Sequence, residues 1–172
     1  MKKIFISTLA ISSLLFTVGC KTDFDTDVRD VTVTKGEADF TRYVALGNSL
    51  TAGFRDNALY ADGQNESYPN IIAGQMKLAG GGAFKQPMIP NNIGGFTDKT
   101  NYPGKLTLQI INGSLAPVAS VAAAALDNVS SGAPYQNLGV PGAKSFHLGI
   151  SGYGALNPYY QRFAIGNNAS PI

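Results

Sequence analysis

The chain has 172 residues, with 13 basic and 11 acidic side chains, a formal charge of +2, one cysteine and no tryptophan. A single cysteine excludes an intrachain disulfide. No Lys/Arg cluster lies beyond the first residues, which argues against a nucleic-acid partner. No cofactor-binding or metal-ligand motif is read in the sequence, and the length suffices for one hydrophobic core.

Lys2 and Lys3 precede an apolar run from Ile4 to Val18, too short for a comfortable membrane span and patterned as a targeting signal. It ends in Phe16-Thr17-Val18-Gly19-Cys20. That ending resembles a bacterial lipobox, although Phe16 stands where leucine is usual. The resemblance implies that residues 1–19 are a lipoprotein signal peptide and that Cys20 becomes an acylated N-terminus. The protein would then be anchored in the envelope of a Gram-negative-type bacterium, at the outer membrane. An ordinary secretory signal with a coincidental cysteine is the alternative. At roughly 0.8 kcal/mol per buried methylene, two or three acyl chains anchor stably. Removal of residues 1–19 leaves 11 basic and 11 acidic residues, a formally neutral protein.

Residues 20–39 read as an acidic flexible tether, in which six acidic and three basic side chains give a net of −3. The Asp23-x-Asp25-x-Asp27 spacing invites a calcium-loop reading, but Val28 stands at the turn glycine and Thr34 at the bidentate glutamate. The domain is expected over 40–172. Tyr43 to Leu46 reads as a buried strand, followed by a turn at Gly47-Asn48-Ser49 and a helix. A strand ending in this way presents the Ser49 hydroxyl at the carboxyl edge of a sheet, where open α/β folds place their chemistry.

Arg55 to Ser67 reads as a polar loop. Ser67 is placed to cap a helix with Pro69 in its first turn, and Tyr68, Ile71, Ile72, Met76 and Ala79 fall on one face expected against the sheet. Gly80-Gly81-Gly82 ends it; no Gly-Lys-Ser/Thr follows, so these glycines are no phosphate loop. An insertion occupies about 83–120. Within it, Leu106 to Ile111, the Asn112-Gly113 turn, and Ser114 to Ser120 read as a β-hairpin with Pro117 on an edge strand. It serves either as a wall of the substrate cleft or as a surface decoration. A short helix and loop are expected over 121–134, a second strand over Tyr135 to Leu138, a turn at Gly139, and a helix from Pro141 to Gly149 that carries the only histidine, His147.

Two of these turns carry a family resemblance. Gly47-Asn48-Ser49-Leu50-Thr51-Ala52-Gly53 resembles block I of the SGNH (GDSL) hydrolases, with Asn48 in place of the usual aspartate. Asn137-Leu138-Gly139-Val140-Pro141-Gly142-Ala143 resembles block II. The likeness spans roughly Phe40 to Gly149. It implies a flavodoxin-like three-layer α/β/α sandwich, strand order 2-1-3-4-5, and a serine ester hydrolase acting on an acyl ester of a lipid or an acetylated glycan. Ser49 would be the nucleophile, Gly139 would give a backbone N–H to the oxyanion hole, and Gly47 and Asn48 would hold the turn. Asn48 keeps an acceptor but loses the charge.

The family's third block is matched only faintly by Ile165-Gly166-Asn167-Asn168, with Asn168 at the oxyanion position and Ala169 in place of aspartate. An Asp-x-x-His block is not clear anywhere. His147, eight residues past Gly139, reads as a residue that packs locally rather than as the general base. The chain is therefore expected to be the N-terminal part of a longer product, incomplete in fold and inactive alone. The alternative is a non-catalytic, lipid-anchored binding module with a hydrolase-like fold. A weaker one treats Gly-Asn-Ser as an ordinary turn. Sequons at Asn65, Asn112, Asn128 and Asn168 are expected to be chance.

Overall fold

A computed structural model describes residues 31–163. The chain divides into two units, Met1–Val33 and Thr34–Ile172. Of the first, only 31–33 are described, with Val31 and Val33 exposed. Cys20 and the 165–168 segment lie outside the described residues, as does the signal. The second unit is a mixed α/β structure with two small two-stranded sheets. Strand β1 (Ala45–Gly47) leads into helix α1 (Ser49–Ala52), then α2 (Ala61–Asn65) and α3 (Tyr68–Leu78). The hairpin β2 (Leu106–Ile111) and β3 (Ser114–Ala119) follows, then β4 (Asn137–Gly139), α4 (Tyr153–Leu156) and α5 (Pro158–Gln161).

β1 and β4 pair in parallel, with Ala45, Leu46 and Gly47 opposite Asn137, Leu138 and Gly139. Side chains alternate across a strand, so Ala45 and Asn137 are buried on the side of α1, whereas Leu46 is largely exposed and Leu138 half-buried. The hairpin forms as its Asn112-Gly113 turn demands: both residues adopt positive φ, +50° and +81°, the twist that joins two antiparallel strands tightly. Pro117 sits opposite Leu108 on a strand with a free outer side.

Several local expectations are corrected. The segment expected as a polar loop, Arg55 to Ser67, carries part of the core. Asp56 and Asn57 take positive φ, the Arg55 and Ala58 backbones exchange hydrogen bonds of 3.1 and 2.9 Å, and the reversal sends Ala58, Leu59 and Tyr60 inward. Helix α3 starts after Ser67 with Pro69 in its first turn, as expected, but the Ser67 side chain bonds to Gln86 rather than capping it, and the helix turns a different face inward. Pro69 and Ala73 are buried, while Tyr68, Ile71 and Ile72 are exposed. The small i and i+4 side chains let the helix approach closely, and the branched ones are left outside.

Over 121–134 the expected short helix is only a 3₁₀ turn at Ser130–Gly132, and the rest is loop. Its backbone lies along another loop instead, with Ala123 N–H donating to Gly94 and Thr97 N–H to Ala124. Past Pro141, a turn and a short 3₁₀ segment at Ser145–Gly149 replace the expected helix. The core gathers Ala52, Leu59, Ile89, Phe96, Val140 and Tyr159. The rings of Phe54, Phe96 and Tyr102 pack on Tyr159 with centroids 5.3–5.9 Å away.

Arg162 closes this unit from within. It is 1% exposed, its guanidinium grips Asp127 at 2.6 and 3.0 Å, and it donates to the Pro87 and Met88 carbonyls at 2.9 and 2.8 Å. Among the described residues no helix is long and apolar enough to cross a membrane.

Candidate functional site

Ser49 stands half-buried at the start of α1, directly past the end of β1. Asn48 is the cap: its side-chain oxygen accepts the Leu50 N–H at 3.4 Å and its carbonyl accepts the Ala52 N–H at 3.0 Å. The retained acceptor thus holds the turn without the aspartate charge. Gly47 is required by space, because a Cβ there would lie 2.1 Å from Thr51 Oγ1. Gly139, across the strand pair, is more constrained still, since its Cβ would lie 2.3 Å from the Ala52 nitrogen. Two glycines facing one helix start let α1 close on the ends of both strands.

Buried polar groups fix this junction. Asn137 donates from Nδ2 to the Thr51 carbonyl at 2.9 Å and to Gln86 Oε1 at 2.8 Å, and its Oδ1 accepts the Gly139 N–H at 3.0 Å. Thr51 Oγ1 in turn lies 3.0 Å from the Tyr68 hydroxyl. The Gly139 amide is thus buried and engaged by Asn137.

Three residues further on, Gly142 is exposed at φ +80°, and its N–H makes no hydrogen bond among the described residues. Asn157 holds the preceding residue from behind, donating to the Pro141 carbonyl and the Tyr153 hydroxyl, each at 2.8 Å. Sequence reasoning passed over both residues. The Pro141-Gly142 pair is a turn signal that was available; Asn157, sixteen residues away, carried none.

Beside these turns opens a cleft of about 890 Å³. Asn48 lies on its wall together with Leu46, Leu138, Val140 and Tyr160, and Lys144, Ser145 and His147 also line it. Burial pushes the Tyr160 phenol up, so it stays a neutral hydroxyl. His147 is half-buried between Phe146 and Tyr153, with ring centroids 4.3 and 4.5 Å away, and its Nδ1 accepts the Lys144 N–H at 3.2 Å. This is the local packing expected of it. The Ser49 hydroxyl makes no hydrogen bond with any described residue. No group of three or more His, Cys, Asp or Glu side chains gathers among the described residues to hold a metal.

Compared with known proteins, the chain matches no family model, no curated protein and no solved structure.

Proposed function

We propose that this chain belongs to a serine ester hydrolase of the SGNH type, lipid-anchored through Cys20 at the outer membrane and built on a flavodoxin-like sandwich. The observation that carries the reading is the parallel register of Gly47 with Gly139. It makes the Ser49 turn and the Pro141-Gly142 turn leave the same edge of one sheet, where open α/β folds bind and transform ligands. Ser49 Oγ is the nucleophile toward an acyl carbonyl. The oxyanion donors are the N–H groups of Ser49 and Gly142, the latter replacing Gly139. Such a donor is worth roughly 10²–10³ in turnover.

A general base must remove the serine proton, and no described residue hydrogen-bonds to it. The SGNH reading gives that role to the histidine of an Asp-x-x-His block. In another serine hydrolase, loss of the base costs on the order of 10⁶ in turnover. The second reading, a non-catalytic binding module, is favoured by the same unengaged hydroxyl.

Two measurements separate the readings. The 172-residue chain should hydrolyse p-nitrophenyl acetate no faster than its Ser49→Ala variant. A coding sequence that continues past Ile172 with Gly-x-Asn-Asp and Asp-x-x-His would favour the hydrolase, and a protein lengthened in that way should show an activity that Ser49→Ala removes. A stop codon after Ile172 favours the binding module. Activity that survives Ser49→Ala in the lengthened protein would exclude Ser49 as nucleophile.

A further inference from the structure

The cleft beside Asn48 divides into two kinds of wall. Leu46 and Leu138, from the open face of the strand pair, and Val140, Tyr160 and Phe163 form an apolar floor. Lys144, Ser145 and His147 come from one short stretch, and Asn48, Tyr135 and Tyr153 add further polar side chains to the lining. Among the described residues no aspartate or glutamate lines the cleft. Its one formally charged side chain, Lys144, is exposed, makes no ion pair among the described residues, and lies 5.8 Å over the Phe146 ring.

A second lysine stands close by. Lys85 Nζ sits 5.1 Å over the ring of Tyr135, and that ring lines the cleft. The volume falls in the range of small-molecule sites, which are mostly apolar with a few convergent polar groups.

We propose that this cleft binds an amphipathic carboxylate, a medium-chain fatty acid, with its alkyl chain along Leu46, Leu138 and Tyr160 and its carboxylate at Lys144. The apolar floor supplies affinity by removing methylenes from water. The Lys144 cation, with no acid among the described lining residues to oppose it, supplies the preference for a negative head over a neutral or positive one. Binding of this kind requires no turnover and does not depend on Ser49 acting as a nucleophile.

The test is displacement of 11-(dansylamino)undecanoate from the full chain, followed by dansyl fluorescence. Dodecanoate should displace the probe, with 1-dodecanol weaker by about fivefold, the worth of one exposed charge pair. Dodecyltrimethylammonium should be weaker still. Lys144→Glu, at an exposed position, should bring dodecanoate to or below the alcohol while leaving the thermal transition in place. Leu46→Asp, which puts a carboxylate on the floor, should weaken all three amphiphiles. Absence of saturable probe binding overturns the proposal. Equal affinity for dodecanoate and dodecanol, or a dodecanoate affinity unchanged in Lys144→Glu, also overturns it.

Discussion

Gly139 shows how much one position can be asked to do. Its missing Cβ lets α1 approach, and its amide is consumed by Asn137. Gly139→Ala places a methyl against main-chain atoms of Thr51 and Ala52, which no rotamer change relieves. It should cost about 3 kcal/mol or more in urea unfolding, whereas Gly142→Ala, in open surroundings, should cost less despite its positive φ. An equal loss at both sites would show that α1 does not close on β4 in this way. Tyr159 gives a pH signature. Burial, reinforced by neighbouring Tyr102, pushes its phenol up to about 12. The raised value means that the neutral form is favoured in the fold. Its contribution is complete below the unfolded value near 10 and is lost as pH rises through about 12. Stability measured from pH 9 to 12 should fall by an extra 2–3 kcal/mol or so relative to Tyr159→Phe.

Among the elements, those written in local chemistry were legible. The hairpin bounds and its Asn112-Gly113 turn follow from alternation and a two-residue signal, and the stop after α3 follows from its glycines. The pairing of β1 with β4 lies 92 positions apart in register and was accessible only through the likeness of the two turns to family blocks. The inward face of α3 was misread because hydrophobicity alone favours Ile71 and Ile72; burial went instead to the small Pro69 and Ala73. The Ala58-Leu59-Tyr60 core piece was hidden because an Asp-Asn pair, without glycine, makes its turn. Within the site, Ser49 and the Asn48 cap lie where the turn chemistry put them, but the engagement of Gly139 depended on a side chain two residues away.

The hairpin itself carries an unmet demand. Leu108 and Ile110 on β2 and Leu115 on β3 share one side and are 70–74% exposed. Leu108→Thr with Ile110→Thr should lower dye binding by exposed apolar surface and raise soluble yield, with a stability change within about 0.5 kcal/mol per site. A large stability loss would mean that this side is covered.

At the scale of the molecule, Arg162 ties the end of α5 to the Pro87-Met88 segment and to Asp127. It is the largest fully buried side chain among the described residues because carboxylate and carbonyl partners arrive from distant positions. Arg162→Met should cost about 3–5 kcal/mol, since it strands a carboxylate and two carbonyls; a cost under about 1 kcal/mol would show the clamp to be decorative. The proposed function rests on Ser49 being reactive at the end of β1. The most direct measurement is covalent labelling of the lengthened protein with a fluorophosphonate, followed by peptide mass mapping. The adduct should fall on the peptide containing Ser49 and vanish in Ser49→Ala. Labelling of another residue, or none in a protein that carries an Asp-x-x-His block, would contradict the assignment of Ser49 as the nucleophile.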